Sequence, residues 1–284
     1  MDLRVRSFIC VGVAIFGMAV SVAAQQRPLV TEDPEPIGDG LVLLEAGFDH
    51  SWSYRYPVSG LTGDLLRWPV AGLSFGMGEN AEIQIDGISR TSLTILDRVD
   101  APLSSMVDVP GDTSRGFEDM VVGAKVKIMS EGSRAPAIGL RFATRLPNAS
   151  NETGLGLDTM DFFQSLLIAK TVQSIRVVGN AGLGILSDPT RGDRQNDVLT
   201  AGVSVARALT NRAEVVGEVN GRVSTRRGTP PPGTGSRGIM LVGLRYTRGT
   251  VRIDGGVFAG LTGLDPPLGM TGGVTWVFES FLNP

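Results

Sequence analysis

"EDMVVGAKVKI", residues 118–128, splits into two unlike faces when it is read as an extended chain. Met120, Val122, Ala124, Val126 and Ile128 fall on one side, and Asp119, Val121, Gly123, Lys125 and Lys127 on the other. Side chains of a β-strand alternate with a period of two, so the pattern marks a strand with one apolar and one charged face. Residues 212–224, "RAEVVGEVNGRVS", repeat it: Ala213, Val215, Gly217, Val219, Gly221 and Val223 lie opposite Glu214, Val216, Glu218, Asn220 and Arg222. Alternation recurs in stretches starting at Leu43, Ala81, Ala137, Val198, Ile239, Thr250 and Met270, and more weakly from Leu65, Asp161 and Ile175, giving twelve candidate strands.

The connections sort by parity. "MGEN", "MSEGSRA", "TVQS", "RALTN" and "RGT" are short, whereas residues 55–65, 94–116, 147–158, 187–196, 225–236 and 261–268 are long or rich in Pro and Gly. An even number of strands, with short turns at one end and long loops at the other, describes an all-β, antiparallel up-and-down transmembrane β-barrel of about twelve strands. Hydrocarbon tolerates a sheet only when it is closed and has no unpaired edge. Charge on the lipid face costs about 2–4 kcal/mol near the midplane, so the charged face must point into the lumen. Trp52, Tyr54, Trp68, Tyr246, Trp276 and Phe278 fall near strand ends, where an aromatic girdle would sit.

Composition agrees. The 284 residues carry a formal charge of -3, 38 Gly and 42% hydrophobic residues, a balance that does not suggest nucleic acid as a partner. Residues 1–24 read as a signal peptide: Arg4 and Arg6, an apolar core from Ser7 to Val20, then small residues at Val22 and Ala24. Residues 25–39 are expected to be a periplasmic segment, 40–278 the barrel and 279–284 a C-terminal tail. The address is the outer membrane of a Gram-negative-type bacterium, with lipids as the surroundings. Cys10 is the sole cysteine and lies in the leader, so the exported chain has no thiol to form a disulfide or bind a metal.

The same residues carry no complete catalytic or cofactor signature. His50, the only histidine, shares the apolar face with Phe48 and Trp52, while Ser51 and Ser53 fall on the other face. A barrel-wall lipid hydrolase would need that His joined to a serine, so the expectation is no enzyme, no metal and no cofactor. The acids Asp97, Asp100, Asp108 and Asp112 lack compact calcium-ligand spacing.

Near the C-terminus, "TGGVTWVF" places Thr271, Gly273, Trp276 and Phe278 in an order similar to the terminal signal read by the outer-membrane assembly machinery, with "ESFLNP" following it. The chain as a whole resembles the family named for the MetA pathway of phenol degradation. The resemblance rests on "TEDPEPIGDGLVLLEAGFDHS", "LLRWPVAGLSFGMGENAEIQIDG", "GFEDMVVGAKVKI", "PAIGLRFATRLPNAS" with "GLGLDTMDFFQSLLIAK", and "VLTAGVSVARALTNRAEVVGEV". The element Gly116-Phe117-Glu118-Asp119 with Gly123-Ala124-Lys125 is its most specific part. The resemblance implies an outer-membrane barrel that passes small solutes, aromatic compounds among them. A structural or partner-binding barrel without transport is the alternative.

Alternation makes the expected lumen lining explicit: Glu45, Asp49, Glu82, Asp86, Arg90, Asp119, Lys125, Lys127, Arg141, Arg145, Glu214, Glu218, Arg222, Arg245, Arg252 and Asp254, eight acids against eight bases. Cross-strand charges of opposite sign brace a wall. Glu82 with Lys127 and Arg90 with Asp119 share a constant sum of residue numbers and are expected to pair in one register, with Arg145 sharing Asp119.

Overall fold

The computed structural model describes residues 27–280. The leader and the last four residues of the tail lie outside that range. Thirteen strands follow one another: β1 (Leu41–Tyr56), β2 (Leu61–Gly76), β3 (Ala81–Arg98), β4 (Thr113–Phe117), β5 (Val121–Met129), β6 (Ala137–Arg145), β7 (Asp161–Val172), β8 (Ile175–Ser187), β9 (Gln195–Ala208), β10 (Ala213–Ser224), β11 (Arg237–Arg248), β12 (Val251–Gly260) and β13 (Leu268–Glu279). Twelve of them form a closed antiparallel barrel, with β1 hydrogen-bonded to β13 at the seam. The short β4 rides on the far part of β3, from Arg90↔Phe117 to Thr94↔Thr113, while the near part of β3 pairs with β5. "Near" denotes here the end where β1 begins and the tight turns lie.

The two faces divide as hydrocarbon demands. Val203, Val219, Val242, Leu244, Ile253 and Val257 are more than half exposed on the outer surface. Polar and charged residues, among them Glu82, Lys125, Glu218, Arg245 and Asp254, are buried within. A water-soluble barrel would have the opposite arrangement; this one has the surface of a membrane-spanning barrel.

Three strands do not keep one parity along their length. In β1 the backbone of Ser53 takes φ 51° and the β1–β2 register shifts between Ser51 and Tyr54. Tyr54 therefore turns inward, away from the girdle expected of it. Register also shifts in the β2–β3 pairing between Arg67 and Val70. In β3, Gly87 has φ +74°, and a Cβ there would come within 2.7 Å of the Asp119 carbonyl oxygen, so only glycine fits this turn of the chain without strain. Beyond it Ser89, Thr91, Leu93 and Ile95 point inward. Such bulges re-aim every later side chain of a strand.

Beyond the bulges part of the far interior is apolar. Leu61, Leu65, Leu93, Ile95 and Leu155 form a buried cluster, with Tyr54, Tyr56, Val107 and Val109 packed on it. The β1–β2 connection, expected to be long, is the tight turn 57–60, in which the Gly60 amide donates to the Tyr56 carbonyl at 2.8 Å. Loop 146–160 folds onto this turn: the Ser59 hydroxyl donates to the Gly154 carbonyl at 2.7 Å.

The segment before β1 is not free of the wall. Residues 27–39 thread through the lumen as a strap, with Leu29 buried against Val216 and Leu241, and Ile37 against Leu43 and Val277. The strap had been expected in the periplasm; ion pairs and hydrogen bonds to inward-facing wall residues hold it inside instead.

Candidate functional site

The strap crosses the lumen and meets most of its wall. At Arg27, a guanidinium N–H donates to the Gly272 carbonyl at 2.9 Å and another contact reaches Thr271 Oγ1 at 3.0 Å, with Asp254 3.6 Å away. The wall makes room with glycine here: a Cβ at Gly47 or Gly273 would come within 2.4 or 2.6 Å of the Arg27 side chain. The Arg27 carbonyl accepts from Arg245 at 2.8 Å. Glu218 then accepts from the amides of Val30 and Thr31, at 2.9 and 2.7 Å, and from the Thr31 hydroxyl at 2.6 Å. Glu32 and Asn180 exchange backbone and side-chain hydrogen bonds at 2.7 and 2.8 Å.

The acidic run Glu32–Asp33–Pro34–Glu35 then meets the bases of the opposite wall. Glu32 lies 2.9 Å from Arg141 and 3.6 Å from Lys125, Asp33 takes Arg176 through two N–H groups at 2.5 and 2.7 Å, and Glu35 takes Lys127 at 3.0 Å. Lys125 is fully buried between Glu32 and Glu82, the latter at 3.0 Å. Burying a charge costs several kcal/mol unless a close partner offsets it, and here two carboxylates share one ammonium. The Ile37 amide donates to the remaining Glu82 oxygen at 2.8 Å.

Of the sixteen residues expected inside, fifteen have their side chains in the interior or at its far mouth. Glu45 accepts from the Arg27 amide at 3.4 Å, Asp49 lies opposite Thr271 and Arg67 in the ladders, and Asp86 sits 3.4 Å from Arg141. Glu214 lies 3.9 Å from Arg245 and 4.0 Å from Arg252. Arg90 is the exception: the Gly87 bulge turns it outward, where it is exposed opposite Phe117. The expected register also needs correction by two residues. Glu82 faces Lys125 rather than Lys127, and the Arg90–Asp119 pair does not form. Asp119 lies instead 3.9 Å from Arg145, which also pairs with Asp161.

At the C-terminal strand, Thr271 and Gly273 face the strap while Trp276 and Phe278 lie on the outer face, ring centroids 4.6 Å apart. His50 is on the outer face, edge-on to Trp52 at 4.6 Å. No group of three His, Cys, Asp or Glu among the described residues could hold a metal ion.

Among the described residues, two adjoining cavities lie inside the barrel. The lower, about 460 Å³, has Val30, Thr31 and Glu32 of the strap as its floor and Phe163, Leu167, Asn180 and Asn220 in its walls. The upper, about 280 Å³, lies among Tyr54, Tyr56, Val58, Arg67, Glu118, Leu155 and Leu157. Arg222 and Arg237 line both, so the cavities adjoin at these two side chains. Alternation does not single out Arg237 or Arg67, and it puts Tyr54 in the girdle and the strap in the periplasm. The acidic run beside the first strand, and inward positions held by glycine, were the signals available for the strap.

No family model and no curated protein matches the chain. Among solved structures, an outer membrane channel from Pseudomonas putida F1 superposes with a TM-score of 0.61 at 11% identity, over 87% of this chain and 98% of that one. The NanC porin superposes with a TM-score of 0.50 at 10% identity, over 84% of this chain and 100% of that one. At these identities the likeness is one of fold.

Proposed function

We propose that this protein is an outer-membrane channel that passes small solutes through a charge-lined lumen whose bore is narrowed by its own N-terminal strap. The observation that carries the reading is the pair of adjoining cavities above the strap, inside a closed barrel with an apolar exterior and a charged interior. The fold shared with a bacterial outer membrane channel and a porin supports it, as do the leader sequence and the resemblance to the MetA-pathway family. On this reading the chain is not an enzyme: His50 meets Trp52 edge-on at the outer surface, away from the interior cavities. Trp276 and Phe278, side by side on the outer face, are then the part of the last strand offered to the assembly machinery.

The test is conductance of the purified chain in planar bilayers, with and without the strap. Deletion of residues 27–37 is expected to raise single-channel conductance severalfold, because the segment fills lumen cross-section. A chain that inserts but passes neither ions nor small solutes, with or without the strap, would be a structural or partner-binding barrel instead.

A further inference from the structure

The arginines between the two cavities are held unlike the other bases of the lumen. Lys125, Lys127, Arg141, Arg145 and Arg176 each lie beside a carboxylate. Arg222 and Arg237 stand directly opposite each other across the β10–β11 ladder, and among the described residues neither has a carboxylate within salt-bridge distance. Arg222 donates from Nε and Nη2 to the carbonyls of Gly235 and Gly233, at 3.1 and 2.9 Å. Arg237 donates from Nη1 to the Tyr54 hydroxyl at 3.3 Å, and its guanidinium carbon lies 5.7 Å from the Tyr54 ring centre.

Like charges placed directly opposite on a sheet repel. Here they are positioned by neutral oxygens and a ring, which orient a guanidinium without neutralising it, and each keeps N–H donors unspent. The acids nearby are already engaged: Glu118 by Arg67 at 2.5 Å, Asp119 and Asp161 by Arg145. Beside these paired groups and Ser59, the upper cavity offers an apolar and aromatic side made by Tyr54, Tyr56, Val58, Leu155 and Leu157.

We propose that the upper cavity binds a small organic anion, a carboxylate on a compact apolar or aromatic body. The carboxylate sits between Arg222 and Arg237, whose planar forks match its two oxygens. The body lies against Tyr54, Tyr56 and Leu157. The inference deepens the channel reading by naming a solute class, but binding itself does not require conduction.

The experiment is calorimetric titration of the full chain in detergent micelles with sodium benzoate, benzyl alcohol, acetate and inorganic phosphate. Benzoate is expected to bind saturably, about tenfold or more tightly than any of the other three. Replacing Arg222→Gln together with Arg237→Gln should abolish the binding while the heat-dependent gel mobility of the folded barrel, faster unheated than boiled, persists. Tyr54→Leu, a milder change, should weaken benzoate more than acetate. If the double variant does not fold, the comparison of benzoate with benzyl alcohol on the unaltered chain, together with Tyr54→Leu, decides. Equal affinity for benzoate and benzyl alcohol, tighter binding of phosphate, or benzoate binding that survives the loss of both arginines would overturn the proposal. A chain that conducts but does not bind benzoate loses this site and keeps the channel; one that binds but does not conduct does the reverse.

Discussion

The near and far halves of the lumen are filled by different physics. The near half holds a strap pinned by charge: Glu32, Asp33 and Glu35 against Arg141, Lys125, Arg176 and Lys127. The far half holds a hydrocarbon cluster, Leu61, Leu65, Leu93, Ile95 and Leu155, roofed by inward-folded loops. The border follows the bulges at Ser53 and Gly87, where the strands exchange the faces they turn inward. A barrel in lipid can therefore enclose two kinds of interior in one wall, by slipping a single residue per strand rather than by changing its strands.

The largest expected effect separates the halves by stability. Lys125→Ala leaves Glu82 and Glu32 buried without their shared cation, and should destabilise the barrel by about 3–5 kcal/mol in urea titrations in detergent. It should also raise single-channel conductance, because the strap loses an anchor. A loss below 1 kcal/mol, on the order of an exposed pair, would mean that water reaches this site and that the near half is not held by buried charge.

Leu65→Ala tests the other half. Leu65 is fully buried, and its truncation should cost about 2–5 kcal/mol. Unlike Lys125→Ala, it should leave strap-dependent conductance unchanged. If conductance changes equally in both variants, the two halves act as one unit and the comparison fails.

Gly87→Val sharpens the border itself. A β-branched residue at φ +74°, against the Asp119 carbonyl, should cost on the order of 1–3 kcal/mol. The accompanying expectation is that Arg90 becomes protected from arginine-modifying reagents as the far part of β3 tries to return to the unbroken parity. Unchanged reactivity of Arg90 would show that the loop contacts, and not the bulge, set the far register.

The smallest effect lies outside the membrane, in the near turn 130–136. Partial burial works to raise the Glu131 carboxyl, but hydrogen bonds from the Thr171 amide, Lys170 and the Thr171 hydroxyl outweigh it and hold the group below its ordinary value. A depressed carboxylate contributes stability that is present above its unfolded pKa and lost as pH falls through the folded one. Amide exchange in this turn should therefore quicken only in acid, below the ordinary carboxylate range, and Glu131→Gln should remove that dependence. Acid-quickened exchange that persists in Glu131→Gln would place the titrating group elsewhere.

Alternation found all twelve wall strands because lipid outside and charge inside make the period of two unambiguous wherever the ladder is regular. It placed Glu82 and Lys125 on the same inner surface but missed their register, since either of two lysines two residues apart satisfies the same face. Arg90 and Tyr54 were misassigned for a different reason: a bulge leaves little trace in a polarity pattern, and only Gly87 hints at the first of them. The strap's place in the lumen escaped a local pattern because its bonds, such as Glu218 to the Val30 and Thr31 amides, join positions 187 or 188 residues apart. Arg222 was found by parity, whereas Arg237 stands at the first residue of its strand, outside the alternating stretch that begins at Ile239.

The strap has a mechanical meaning as well. In a closed ladder each strand bonds only to its two neighbours, and such a hoop resists stretching far better than flattening. Residues 27–37 reach β3, β5, β6, β8, β10, β11, β12 and β13 from within, as spokes reach a rim. Lateral pressure from the bilayer that would squeeze the ring into an ellipse must first break spokes on two opposite sides, so the cross-section at this level is expected to stay round while the far mouth, without spokes, deforms.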